Sequence, residues 1–121
     1  MTYESEKTIE SRAAAGVKFT VARMSLGRRI ELTRQMWELA RKVECLEAGD
    51  DPREKLEAAL LRSEIDRLYV KWGLVRVDGL TVDGQPATPE TLIGSGPEDL
   101  CQEVLEAVKA ECGLTEEERK N

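Results

Sequence analysis

Apolar positions recur at helical spacing through two long stretches separated by a turn. In the second stretch Leu61, Ile65, Leu68 and Trp72 step by four, three and four residues, which lines them on one face of a helix. Both ends of this helix are marked. Asp51 suits the N-cap, Pro52 the first helical position, Glu54 the first turn and Gly73 a left-handed stop. In the first stretch Leu32, Met36, Leu39, Val43 and Leu46 form a seam of heptad spacing. The helix that carries them runs from about Leu26 to Ala48, with Ser25 as its cap and Gly49 as its stop. Leu26, Ile30 and Trp37 make an adjoining stripe about 100 degrees round, so the apolar face is wide enough for burial against two elements. The turn Gly49-Asp50-Asp51-Pro52 is short, which predicts an antiparallel helical hairpin.

The remaining chain supplies shorter elements. Val17, Phe19 and Val21 alternate with Lys18, Thr20 and Ala22, a short strand signal. Leu74-Val75-Arg76-Val77 and Leu80-Thr81-Val82 are β-like runs split by Asp78-Gly79 and followed by Asp83-Gly84. Asp-Gly is a hairpin signal, so a small β element is expected here, joined by the Val17–Val21 strand because a lone hairpin is marginal in water. Thr88-Pro89-Glu90 starts a short helix that Gly94-Ser95-Gly96 ends. From Pro97 a third substantial helix presents Leu100, Cys101, Val104, Leu105, Val108 and Cys112, and Gly113 closes it. Thr115 with Glu118 makes a capping box for a short C-terminal helix. Residues 1–14 lack periodicity and read as a flexible N-terminus ahead of a single α-rich domain over 15–121. The expected fold is mainly α with a small β element: a helical hairpin, a third helix, a short N-terminal strand and a β-hairpin.

Composition sharpens this picture. At 121 residues one modest core is possible without staples. With five aromatic side chains, that core is aliphatic. The net charge of −6 argues against nucleic acid as the main partner. The charge is uneven: Arg12 to Lys42 carries eight basic and two acidic residues, whereas Pro97 to Asn121 carries three basic and eight acidic ones. These are either two solvated faces of opposite bias or ends that attract, within one chain or between neighbours in self-association. Three widely spaced cysteines, Cys45, Cys101 and Cys112, with a polar N-terminus that is no signal peptide, suggest a reducing cytoplasm. No apolar run approaches the roughly twenty residues that span a membrane.

The search for reaction chemistry finds none. Histidine is absent, which removes the usual general base and every Ser-His or Cys-His pair. Three scattered cysteines without histidine make no zinc site. The acidic pairs Asp50/Asp51, Glu98/Asp99 and Glu116/Glu117 sit at helix starts, where a carboxylate favours the dipole. Gly94-Ser95-Gly96-Pro97 lacks the lysine of a phosphate loop and reads as a turn. Neither a metal nor another cofactor is expected. The expected class is a binding protein, not an enzyme.

A family resemblance gives a more specific expectation. Trp72-Gly73-Leu74, Gly79-Leu80, the run Asp83-Gly84-Gln85-Pro86-Ala87-Thr88-Pro89-Glu90, Gly96-Pro97-Glu98-Asp99-Leu100 and Glu117-Glu118-Arg119-Lys120-Asn121 together resemble tail assembly chaperones of long-tailed bacteriophages and prophages. The helical hairpin and the strand ahead of it are similar too. The likeness covers most of the chain from about Val17. It implies a non-enzymatic helper in the bacterial host cytoplasm that binds the long helical tape-measure protein and helps recruit tail-tube subunits around it. Many such proteins are also made in a longer form by programmed frameshifting, and Lys120-Asn121 after Arg119 could be encoded by the slippery heptamer A-AAA-AAC that this requires. The alternative is a minor structural or adaptor protein retained in the virion tail. A helper of this kind needs an apolar groove and charge complementarity for an amphipathic helix. Leu26, Ile30, Arg34, Trp37 and Arg41 are the candidates for groove or rim, and the three apolar ones are equally candidates for the core. Trp72, one residue before the helix stop, is either core or an edge anchor.

Overall fold

The computed structural model describes residues 1–113. Among these the chain is mainly α with a small β element: four helices, a three-stranded antiparallel sheet and a two-stranded hairpin. The expected capping box at Thr115–Glu118 and the helix after it lie outside the described residues. Where length suggests one domain, the chain divides into two compact units. One is Ser25–Leu68; the other joins Met1–Met24 to the chain from Tyr69 onward.

The first unit is a helical hairpin. Helix α1 (Leu26–Glu47) starts at Ser25, whose extended backbone lets its hydroxyl accept the N–H of Arg28 at 3.2 Å. Helix α2 (Pro52–Gly73) starts at Asp51, whose carboxylate accepts the N–H of Arg53 at 2.9 Å. Glu54 in its first turn and Lys71 in its last suit the helix dipole. The heptad seam faces inward: Leu32 and Val43 are buried and Met36, Leu39 and Leu46 half-buried, with Ala58 buried and Leu61, Ile65 and Leu68 half-buried on α2. Arg62 clasps Glu47 across the two helices at 2.7 Å. Gly49 does not take the left-handed form expected of it. Instead α1 closes on Ala48, whose N–H reaches the Glu44 carbonyl.

The second unit is built on the sheet β1-β2-β3, in which β1 (Glu6–Glu10), β2 (Lys18–Ala22) and β3 (Leu74–Asp78) run antiparallel to their neighbours. Strand β2 is central and buried from Phe19 to Ala22. Helix α4 (Glu98–Glu111) packs on β2, and α3 (Pro89–Ser95) packs on β3. Between sheet and helices lie Phe19, Val21, Leu92, Leu100, Val104 and Val108, each 0 or 1% exposed. The sequence pattern marks five of these six as apolar positions of their elements and leaves out Leu92. Thr88 caps α3 reciprocally with Thr91, each side chain accepting the other residue's N–H.

Three further features depart from expectation. Strand β1 falls inside the stretch read as a flexible terminus. Its lone apolar residue, Ile9, pairs in register with Phe19, and the Thr8 and Thr20 hydroxyls meet across the strands at 2.9 Å. The runs around Asp78-Gly79 do not pair with each other, because β3 pairs with β2 instead. There Gly79, at φ +85, passes so close to the Gly16 carbonyl that no side chain fits. The hairpin turn is the second Asp-Gly: β4 (Thr81–Val82) and β5 (Gln85–Pro86) are joined by Asp83 and Gly84 at φ 52 and 80, the pair of positive angles that a tight two-residue turn requires. Finally, Gly73 is not a left-handed stop. It is the last residue of α2, which runs straight into β3, and glycine is needed because Val108 of α4 lies against its Cα.

Candidate partner-binding surface

Of the large apolar side chains that the fold leaves exposed, five lie on the hairpin unit. Leu26 is 79% exposed, Ile30 51% and Trp37 55%. The expected burial of this stripe against a second element therefore does not occur. At 100° per residue these positions lie roughly 140° round from the middle of the seam, so an element covering the seam leaves them in solvent. Arg34 and Arg41 are exposed on the same helix. The Arg41 guanidinium sits 4.7 Å from the centroid of the Trp37 ring, one turn away, a cation–π contact that holds both in place.

Trp37 and Arg41 open onto a groove between the two helices. Its volume is about 510 Å³, and Glu38, Lys42, Cys45 and Leu46 of α1 and Glu57 and Leu61 of α2 complete its walls. Walls of aliphatic and aromatic carbon with both signs of charge at the rim suit an amphipathic segment. Trp72 belongs to the other unit, where it is half-buried in the last turn of α2. The structure thus groups five of the six candidates on one helix and leaves Trp72 apart from them.

A second apolar patch, outside the candidates that the sequence pattern offers, lies on α2. Leu56 and Leu60, one turn apart, are 74% and 64% exposed. With Arg53, Glu57, Ala59 and Ser63 they border a shallow depression of about 500 Å³. The signal was present in the sequence. Both leucines fall off the face defined by Leu61, Ile65 and Leu68, so a helix that buries that face must expose them.

Two titratable groups in the sheet unit show shifts that explain parts of its construction. The Glu103 carboxylate gathers the loop after β1: it accepts the Ser11 hydroxyl at 2.5 Å and the Arg12 N–H at 2.7 Å. Partial burial opposes its ionisation. The Ser11 hydroxyl, the N–H groups of Arg12 and Ala13 and the Arg12 charge together outweigh that, holding the carboxyl below its ordinary range. Burial, helped by the nearby Glu98 charge, pushes the Cys101 thiol up, and its Sγ lies 3.3 Å from the Leu92 carbonyl. Such a thiol stays protonated and is a poor nucleophile. Lys109, which the charge pattern gave no reason to bury, is 3% exposed with its ammonium 5.5 Å from the Tyr69 ring centroid. Among the described residues no group of three or more Cys, Asp or Glu side chains is placed to hold a metal ion. Among them, too, no helix is long and apolar enough to cross a membrane. Comparison with protein-family models, curated proteins and solved structures gives no match.

Proposed function

We propose that this chain is a non-enzymatic tail assembly chaperone of a long-tailed bacteriophage or prophage, acting in the bacterial host cytoplasm. It holds a helical stretch of the tape-measure protein and helps bring tail-tube subunits to it. The observation that carries the reading is the exposed stripe Leu26, Ile30 and Trp37, flanked by Arg34 and Arg41, on a hairpin unit. Helical spacing suits a helical partner, and the two arginines favour acidic positions along that partner's rim. The resemblance in the turns around Trp72-Gly73-Leu74 and Asp83-Gly84-Gln85-Pro86 supplies the partner's identity.

The test is co-expression with the neighbouring tape-measure protein, using this chain as bait. Stable co-elution that keeps the tape measure soluble supports the reading. Trp37→Ala then weakens binding by about thirtyfold, the scale of a truncated aromatic anchor at about 2 kcal/mol. Circular dichroism and thermal unfolding stay unchanged, since the Trp37 side chain is more than half exposed. Unfolding of that variant, or co-purification of the bait with finished particles while the tape measure stays insoluble, would overturn the proposal in favour of a protein retained in the virion.

A further inference from the structure

We infer that the exposed strip along α1 takes a helix that is acidic on one flank, and that Arg34 and Arg41 are the residues that read this flank. The inference rests on the proposed function for the use of the strip and adds the chemistry of the client. Leu26, Ile30, Arg34, Trp37 and Arg41 follow one another at spacings of four, four, three and four, over about 22 Å of helix. A partner helix lying along them needs about four turns. Arg34 and Arg41 are seven residues apart, so both stand on the same side of the apolar line, about 10 Å from each other. That is the side on which Arg41 borders the inter-helix groove. Directly across the line stand Thr33 and Ala40, also seven apart and uncharged. The two flanks are therefore unequal, one doubly basic and the other neutral.

Both arginines keep their charge for an incoming group. They are exposed, and among the described residues neither forms an ion pair. Glu31, one turn before Arg34, accepts from the Gln35 amide instead at 3.4 Å. Arg41 lies over the Trp37 ring, a neutral partner that places the guanidinium without neutralising it. The other exposed apolar face of the hairpin lacks this bias. Beside Leu56 and Leu60 stand Arg53 and Arg67 but also Glu57 and Glu64, and Glu64 and Arg67 pair at 2.6 Å. The charges on α1 select the occupant. A second copy of the strip would set arginines against arginines, and a basic helix would be repelled. A helix with carboxylates seven residues apart beside its apolar seam meets both arginines at once.

The test uses two labelled peptides of about three heptads with the same leucine seam, one carrying glutamate and the other lysine along a single flank. Fluorescence anisotropy with the full chain, titrated to about 500 µM to cover weak contacts, reads each affinity. At about 20 mM salt the glutamate peptide should bind about tenfold more tightly than the lysine peptide, and about 0.5 M salt should shrink the difference to about twofold. Arg34→Glu with Arg41→Glu should reverse the preference, and Arg34→Lys with Arg41→Lys should retain it. Arg53→Glu with Lys55→Glu, the same change in net charge placed on α2, should leave it as in the wild type. Helical circular dichroism should not change in any of these variants, since all four residues are exposed. Equal binding of the two peptides, binding of neither, a preference that survives Arg34→Glu with Arg41→Glu, or one lost equally through the α2 pair would each overturn the inference. So would a tape-measure protein held as well by Arg34→Glu with Arg41→Glu as by the wild type, an outcome that leaves the chaperone reading standing. A wild type that prefers the glutamate peptide yet fails to hold the tape measure in co-expression would support the inference and overturn the chaperone reading alone.

Discussion

Replacing Gly73 by alanine sets two effects of known size against each other. In a helix, alanine is favoured over glycine by about 0.8–1 kcal/mol. Gly73 does not occupy a left-handed conformation, so the backbone raises no objection. The objection comes from packing. A Cβ at this position would overlap Cγ1 of Val108 and come within 2.9 Å of Cγ2. Carbon atoms prefer about 3.5–4.0 Å. Val108 is 1% exposed and β-branched on α4, so it has one comfortable rotamer and no room to turn away. The last turn of α2 and α4 must separate instead. Overpacking of this kind costs about 1–3 kcal/mol, and simultaneous crowding by both methyls of one valine belongs in the upper half of that range. Net of helix propensity, Gly73→Ala should destabilise by about 1–2 kcal/mol. Urea denaturation with an unchanged m-value measures this. The decisive assay is the double-mutant cycle with Val108→Ala, which opens the space the new methyl needs. The double variant should be more stable than the sum of the singles by at least about 1 kcal/mol. A stabilised Gly73→Ala, or additivity within about 0.5 kcal/mol, would show that Val108 does not determine the glycine.

Two smaller predictions concern the sheet unit. Thr88→Ala removes one side of the reciprocal cap of α3 and should cost about 1 kcal/mol, read by urea denaturation; a loss below about 0.3 kcal/mol would mean that Pro89 and packing alone define the helix start. Glu103→Gln should flatten the acid limb of the stability–pH curve. The folded-state carboxyl lies below its ordinary value of 4.5, so its contribution is present above that pH and is lost as pH falls through the folded value. The wild type should therefore lose its advantage over the variant below about pH 4.5, and parallel curves would rule out the Ser11–Arg12 clasp as a source of acid sensitivity.

What could be read from the sequence follows from how local each signal is. Ser25, Asp51, Thr88 and Pro97 mark helix starts through groups within four residues of one another, and the helices begin where they say. The inward face of α4 follows from the spacing of Leu100, Val104 and Val108. Strand β1 could not be read this way. Glu6-Lys7-Thr8-Ile9-Glu10 has one apolar residue and is held by hydrogen bonding to β2 and by a loop that Glu103 gathers from more than ninety residues away. The two Asp-Gly pairs look alike locally. Only the pairing of β3 with the distant β2 decides which becomes a hairpin turn. Local sequence assigns Gly73 and Gly49 a conformational role, whereas Gly73 answers to a contact with α4. The candidate surface was half legible. Spacing found Leu26, Ile30 and Trp37, but whether a stripe beside a seam is buried depends on how many elements cover the helix, which periodicity does not encode.

The two units treat apolar surface differently, and that difference bears on function. The sheet unit seals its large core residues, and its exposed large apolar side chains among the described residues are Met1, Tyr3 and Val75, at the N-terminus and on an edge strand. The hairpin unit leaves Leu26, Ile30, Trp37, Leu56 and Leu60 half to four-fifths exposed. These five contribute little to folding, because most of their surface stays in water. The free energy they hold is released only on contact. Full burial is worth about 1.5–3 kcal/mol per side chain, so the three on α1 offer about 3–6 kcal/mol at their present exposure. The two on α2 offer about 2–4 kcal/mol. Against an association cost of about 4 kcal/mol or more, neither patch alone supports a permanent complex. Contacts of this strength form and release.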